Sequence, residues 1–431
     1  MITGQPPEAD RATPKSRWRL RGLELNAIAL MASSGMTALF GLVFWAVAAR
    51  YPAEEVGRTS ALISTAMMLS TVAGLAVGLV FARFLGSVGP RAGRMVLGGY
   101  VVTGVIALVL GAGFVVLFAD DALFASTTER FAFPLLVVVL ALFTLQDWVL
   151  IGLQAARWVP VEQLLFSGIK FGLVSIFAVS ALRNGIVIAW VAPSALAVVV
   201  VSAVLFLRVL PRRVVVEGAV ALPGRRTLAR LIAGEYAEGA MAVVVPLLMP
   251  LIVVTQWGTQ ANAYYALPWL ISEAVVSLMW NVSSSYLAEA SNDIGNMAAL
   301  TRRTARLLAL IALAGTPSLF FGAPLLLSLL PGAYAAEGTV LLQMMGLALP
   351  LAAIGSLYGA ILRARQQVGR MVALQLVNGI SVVALALVLV KPWGITGIGV
   401  AYLASEALCF AIVLGPLVRN IRQRPEVNPT S

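Results

Sequence analysis

The 431-residue chain has no histidine, one cysteine and few charges: Asp, Glu, Lys and Arg together make up 11% of it. Without histidine there is no imidazole proton relay and no histidine metal site. With Cys409 alone there is no intrachain disulfide. The shortage of charge excludes a water-soluble domain, whose surface takes roughly 25% charged residues. A phosphate-binding glycine loop, paired catalytic carboxylates and a metal cluster are also missing from the pattern, so no enzyme, cofactor or ATP-driven pump is implied.

What is present is apolar. Hydrophobic residues make up 60% of the chain and the mean hydropathy is +0.94. A helix needs about 20 such residues to cross the hydrocarbon core. Runs of that kind fall at 24–49, 58–82, 95–118, 131–155, 160–180, 185–208, 229–255, 262–288, 303–330, 338–362, 370–390 and 395–418. The fold class expected is an all-α polytopic membrane protein of about 12 transmembrane helices. The first run is too long for a signal-peptide core and reads as an uncleaved span.

The formal net charge is +11, and its placement explains it without nucleic acid. With a cytoplasmic N-terminus, 24 of the 30 basic residues fall on the cytoplasmic side, including Arg83, Arg91, Arg94, Arg208, Arg302, Arg303, Arg363, Arg365 and Arg370. Arg50, Arg58, Arg130, Arg183 and Lys391 fall on the other side, and Lys170 lies within a span. This is the positive-inside pattern of a bacterial inner-membrane protein with both termini in the cytoplasm.

Five segments follow: a tail over 1–23, a six-helix bundle over 24–208, a basic cytoplasmic linker over 209–228, a second bundle over 229–418 and a tail over 419–431. Residues 185–196 align without gaps on 397–408 with six of twelve identities, and both stretches open the sixth helix of their half. An even helix number per half inserts both bundles the same way up, the parallel-repeat arrangement of transporters with a cavity between halves. Pro246 and Pro250 are expected to kink the seventh helix. Gly74/Gly78 and Gly355/Gly359 have the spacing of close helix packing.

Charges inside the membrane mark cavities or partners. Asp147 and Lys170 each lie 11 or 12 residues from a turn centred near 158–159, which puts both about 17 Å deep. Asp147, Gln154 and Arg157 share one helix face, and Gln163, Ser167 and Lys170 share another. The expectation is an Asp147–Lys170 pair, either structural or walling a cavity with Lys170 offered to an anionic substrate. Glu273 and Glu406, deep in the eighth and twelfth helices, are candidates for ion coupling. Glu235 and Glu238, one turn apart, are further candidates or an inner-mouth feature.

Residues 25–95 carry a resemblance, through Ser33-Ser34-Gly35-Met36-Thr37-Ala38-Leu39-Phe40-Gly41, Phe44-Trp45-Ala46, Pro52-Ala53-Glu54-Glu55-Val56-Gly57-Arg58-Thr59-Ser60-Ala61-Leu62-Ile63-Ser64 and the Arg83 to Arg94 loop. The theme returns at Asn262-Ala263-Tyr264-Tyr265-Ala266-Leu267. These segments resemble bacterial polysaccharide-biosynthesis flippases of the multidrug/oligosaccharidyl-lipid/polysaccharide exporter superfamily. The resemblance implies two six-helix bundles around a central cavity and a polyprenyl-diphosphate-linked glycan moved from the inner to the outer leaflet. It also implies membrane lipids, and envelope glycosyltransferases or a polymerase, as candidate partners. An anionic headgroup suits Lys170, with Arg58 and Arg83 either beside it or acting as interfacial anchors.

Two alternatives stand beside the flippase. A drug or small-solute exporter is suggested by Gly86 to Arg94, which echoes a major-facilitator loop but has Pro90 where that motif has its aspartate. A membrane glycosyltransferase or polymerase would need an acidic outer-loop site, and Asp120-Asp121 sit in a loop of only about a dozen residues.

Overall fold

The computed structural model describes residues 36, 39–118, 123–153, 155, 158–180, 182, 184–211, 225–290 and 297–422. Among the described residues there is no strand. Helix α1 is described over Leu39–Ala48. It is followed by α2 (Ala53–Phe84), α3 (Ala92–Leu117), α4 (Thr127–Gly152), α5 (Val159–Val179) and α6 (Gly185–Val204, extended by a π turn at Leu205–Val209). The helical stretch Arg225–Ala290 is broken at Gly258 (φ 85°, ψ 174°) into α7 (225–257) and α8 (259–290). After α9 (Met297–Ser328) and α10 (Tyr334–Ala364), Val368–Arg422 is broken at Gly394 (φ 58°, ψ −145°) into α11 (368–393) and α12 (395–422).

Nine stretches of the described chain are long and apolar enough to cross a membrane. Two of them, Gly239–Leu287 and Gly369–Pro416, hold 49 and 48 residues. At 1.5 Å per residue each is roughly 70 Å long, more than twice the hydrocarbon thickness. Their division at Gly258 and Gly394 makes each an antiparallel hairpin with almost no loop, and both glycines have a positive φ that disfavours a side chain. With α1 the count is twelve, in two six-helix bundles. Large apolar side chains point outward, as lipid demands: Leu97, Val101, Val105 and Val109 line one exposed face of α3, and Leu310, Leu313 and Leu325 one of α9.

The backbone keeps helical φ/ψ through Pro246 and Pro250, and the break in this stretch is at Gly258. A Cβ on Gly78 would lie 2.6 Å from Trp148, so α2 packs on α4 through that glycine. Gly355 and Gly359 have open space in front of them, so their role is to clear room and not to pack helices.

The repeat is visible at the last hairpin of each half. A Cβ on Gly185 would lie 2.8 Å from Phe177 Cβ, and one on Gly397 would lie 2.3 Å from the Leu389 carbonyl, each eight residues back along the chain. Both glycines let the final helix fold tightly against its predecessor.

One end of the bundle carries Arg83, Arg91, Arg94, Arg208, Arg302, Arg303, Arg363 and Arg365, and is called the basic end below. At the opposite end the two halves are sealed. The start of α2 crosses the start of α8 so closely that a Cβ on Gly57 would lie 1.7 Å from the Thr259 carbonyl oxygen. Buried Asn262 locks the crossing by donating to the Gly57 carbonyl at 2.7 Å and to Ser60 Oγ at 2.8 Å.

Beside this seal Arg58 donates to both carboxylate oxygens of Glu129 (2.8 and 2.7 Å) and to Asn184 Oδ1 (2.9 Å). The Asn184 amide donates to Glu55, and the Ala125 amide to Glu129. One arginine thus ties α2, α4 and the α5–α6 turn together. In the adjoining α1–α2 turn, burial and the Glu55 carboxylate hold the Tyr51 phenol above its ordinary pKa, so it stays neutral.

Candidate functional site

A cavity of about 990 Å³ lies chiefly within the second bundle, walled by α7, α8, α10, α11 and α12. The first bundle contributes a narrower wall: Gly41 of α1, Ile151 of α4, and Val159, Pro160 and Gln163 of α5. Because Gly57 and Thr259 close the opposite end, and Arg363, Ile151 and Pro160 lie near the basic end, the cavity faces the basic end.

Two carboxylates reach it. Glu273 lies halfway along α8 and is exposed, and the surface it is exposed to is the cavity. Glu406 of α12 is buried and accepts from Asn378 Nδ2 of α11 at 3.2 Å. Asn378 is itself fixed by Ser405, which donates to its Oδ1 at 2.6 Å. Tyr402 lies within electrostatic range of both acids and stands edge-on to Trp269, with centroids 5.7 Å apart. Trp280 lines the same cavity, with the Arg363 guanidinium 4.2 Å above its ring. The lining is therefore apolar and aromatic, with two acids at depth and an arginine toward the mouth. Such a surface takes an amphiphile and orients it by charge.

The first bundle departs from what its sequence suggests. Asp147 and Lys170 do not pair. Asp147 Oδ2 accepts from Gln163 Nε2 at 3.1 Å, whereas the Lys170 ammonium sits 3.7 Å from the Trp190 ring centroid, 4.9 Å from Phe44 and 5.0 Å from Phe166. The reason is the position of the turn. Helix α4 ends at Gly152 and α5 starts at Val159, so Asp147 is five residues from its helix end and Lys170 eleven from its helix start. That offset is about 9 Å along the helix axis at 1.5 Å per residue. Three aromatic faces stand in for the missing carboxylate, as cation–π contacts in a desolvated setting can. Lys170 is buried and is not on the cavity wall.

The other expected residues divide in the same way. Gln163, Glu273 and Glu406 line the cavity. Arg58 is committed to Glu129 and Asn184 at the opposite end, and Arg83 is exposed in the last turn of α2 at the basic end. Gln154 lies outside the described residues, as do the side chains of Glu235 and Glu238, although α7 runs through both positions. Asn378, Tyr402, Trp269 and Arg363 were missed. Only the polar spacing of Asn378 from the later Glu406 could have hinted at that pair. Glu162, which the sequence analysis does not single out, has both carboxylate oxygens buried without a partner.

No family model matches the chain, and no curated protein matches it. Solved structures do. An inward-facing multidrug resistance MATE family transporter of the MOP superfamily is 15% identical, with a TM-score of 0.70 over 92% of this chain and 98% of that one. The chain has the MATE-type fold. An outward-facing structure of a MATE family transporter of the same superfamily is 15% identical and gives 0.60, covering 92% of this chain and 94% of that one. A MOP superfamily transporter from Pyrococcus furiosus, described as having a binding pocket of reverse polarity that suggests a different function, is 15% identical and gives 0.59, covering 92% and 96%. The tighter overlap with an inward-facing MATE-type arrangement agrees with a seal at Gly57 and a cavity facing the basic end.

Proposed function

We propose that the protein is an alternating-access transporter that exports a small amphiphilic solute, preferably a cationic one, from the side its basic end faces. The observation that carries this reading is the cavity lining: Glu273 and Glu406 at depth among Trp269, Tyr402 and Trp280. A cation held between carboxylates and aromatic faces gains from both. By the distribution of arginines the basic end faces the cytoplasm. Transport then consists of closing the cavity there and parting α2 from α8 at the opposite end.

The lipid-linked glycan flippase is the second reading. It keeps the support of the sequence resemblance over 25–95 and of Arg363 near the mouth, where a diphosphate could be met. The deep wall works against it, since a headgroup moving inward from Arg363 meets two carboxylates and Lys170 is out of reach behind its rings.

Tryptophan quenching on the purified full chain separates the two. Tetraphenylphosphonium is expected to quench Trp269 and Trp280 saturably, with at least tenfold weaker binding in Glu273→Gln or Glu406→Gln. Saturable binding of a polyprenyl-diphosphate glycan that Arg363→Gln abolishes, with no response to the lipophilic cation, overturns the exporter reading in favour of the flippase.

A further inference from the structure

Nearer the basic end the cavity changes character. Gly355, Gly359 and Arg363 stand four residues apart along α10, so they share one helix face, and all three line the cavity. A Cβ on either glycine would meet nothing within 4 Å. Glycine is the poorest helix former after proline, and its use inside a helix is to let something approach the backbone closely. No neighbouring helix approaches these two, so the bare surface they leave belongs to the cavity.

Helix α8 supplies a companion face. Glu273, Ser277 and Trp280 follow one another at spacings of four and three and line the same cavity. Trp280 is 50% exposed even though the Arg363 guanidinium stands 4.2 Å over its ring, and that contact ties the indole to the end of the glycine face. Ser283 is 3% exposed and lines the cavity, and its hydroxyl has no hydrogen-bond partner. Its level matches that of the glycines, because Val282 and Tyr286 beside it share a packed core with Leu357, Tyr358 and Ile361 of α10. Buried hydroxyls are normally satisfied, so this one is suited to a partner carried by the occupant of the cavity.

Trp280 lies seven residues from Glu273, two turns along one face and about 10 Å along the axis. Charge sets the order: a cationic centre is drawn inward to Glu273 and repelled at Arg363, so the part of the solute beside the glycines is its uncharged part. A bare strip of backbone next to a half-exposed indole takes a flat ring, and the Ser283 hydroxyl takes an acceptor attached to it. A cavity of about 990 Å³ has room for both ends at once.

We infer that Gly355, Gly359, Trp280 and Ser283 form a ring-binding subsite, and that the solute carries a flat, acceptor-bearing aromatic ring about 10 Å from its cationic centre. This rests on the exporter reading, in which Glu273 holds the cation.

The test is isothermal titration calorimetry on the purified full chain with a set of trimethylammonium ions. Naphthoylpentyl-trimethylammonium spans both positions, naphthoylmethyl-trimethylammonium is too short, pentyltrimethylammonium has no ring and naphthylhexyl-trimethylammonium has no acceptor. The spanning ion is expected to bind about tenfold tighter than the short or the ringless one. Gly355→Leu and Gly359→Leu, which fill open space, should erase most of that advantage, and Gly359→Ala should erase part of it. Ser283→Ala should weaken the spanning ion by about fivefold more than the ion without an acceptor. Wild-type chain that binds the ringless or the short ion as tightly as the spanning one overturns the subsite and leaves the exporter reading standing. So do folded glycine variants that keep the full advantage, since the open space would then serve closure of the mouth. Wild-type chain that binds none of these ions overturns the exporter reading and the subsite with it.

Discussion

Replacing Gly57 by alanine perturbs the seal between the two halves at its tightest point. The new Cβ would sit 1.7 Å from the Thr259 carbonyl oxygen and 2.8 Å from the Ala263 amide, where ordinary contact starts at 3.4 Å. Both obstacles are backbone, so no rotamer relieves the clash and α2 must separate from α8. Overpacking of this kind costs roughly 1–3 kcal/mol. The cost falls on the closed state alone, because in a state open at this end α8 is no longer against Gly57. A differential of that size shifts the closed-to-open ratio by about 5- to 150-fold.

The assay is thiol labelling of Ser60→Cys, a near-isosteric change at a buried position beside Asn262, in a Cys409→Ser background. The labelling rate should rise by that factor when Gly57→Ala is added, while the protein remains monodisperse. An unchanged or slower rate refutes the view that the α2–α8 crossing is the gate.

Arg58 and Glu129 are each 11% exposed, so Arg58→Met or Glu129→Gln strands a buried partner and should destabilise by about 3–5 kcal/mol in denaturant unfolding, the double change by less than the sum. Asp147→Asn and Lys170→Met should act independently, adding within about 0.5 kcal/mol in a double-mutant cycle; a coupling well above that would restore the ion pair the structure lacks. Ser126→Cys, exposed at the start of α4, should react in intact cells, and Gly369→Cys, exposed at the α10–α11 turn, only after permeabilisation; the reverse would invert the orientation.

Helix number and most boundaries are legible in the sequence because span length and lipid exposure leave few alternatives. The hairpins at Gly258 and Gly394 were read as short loops, since hydropathy cannot show that one left-handed glycine suffices to reverse the chain. Glu273 and Glu406 were found by their cost, as a carboxylate in a span asks for a reason. Lys170 was flagged for the same reason and given the wrong partner. The depth argument placed the α4–α5 turn three residues too late, and one such shift moves a side chain by about 4.5 Å and 300° around the helix. The aromatic cage around Lys170 left no trace in spacing, because Phe44, Phe166 and Trp190 come from three different helices. Nothing in the spacing singles out Glu162, which stands beside the Gln163, Ser167 and Lys170 stripe and outside it. Its lack of donors is a property of the packed helices.

The two halves share a hairpin and differ in what it carries. With Gly185 aligned on Gly397, Ser194 stands where Glu406 stands, and Lys170 where Val382 lines the cavity. The repeat has thus placed its acid on the cavity side in one half and its base behind rings in the other, and this bears on energetics. Carrying a singly charged cation outward against an inside-negative potential costs about 2.3 kcal/mol per 100 mV if the full field is crossed. An anion gains the same amount. The two substrate readings therefore predict opposite signs, each about 50-fold in the equilibrium ratio at that potential. For proteoliposomes with the potential set from outside, we expect an inside-negative potential to oppose outward flux of a lipophilic cation. Outward flux of the transported solute that an inside-negative potential accelerates would mean that the cargo is anionic, and the assignment of Glu273 and Glu406 to substrate would fall with it.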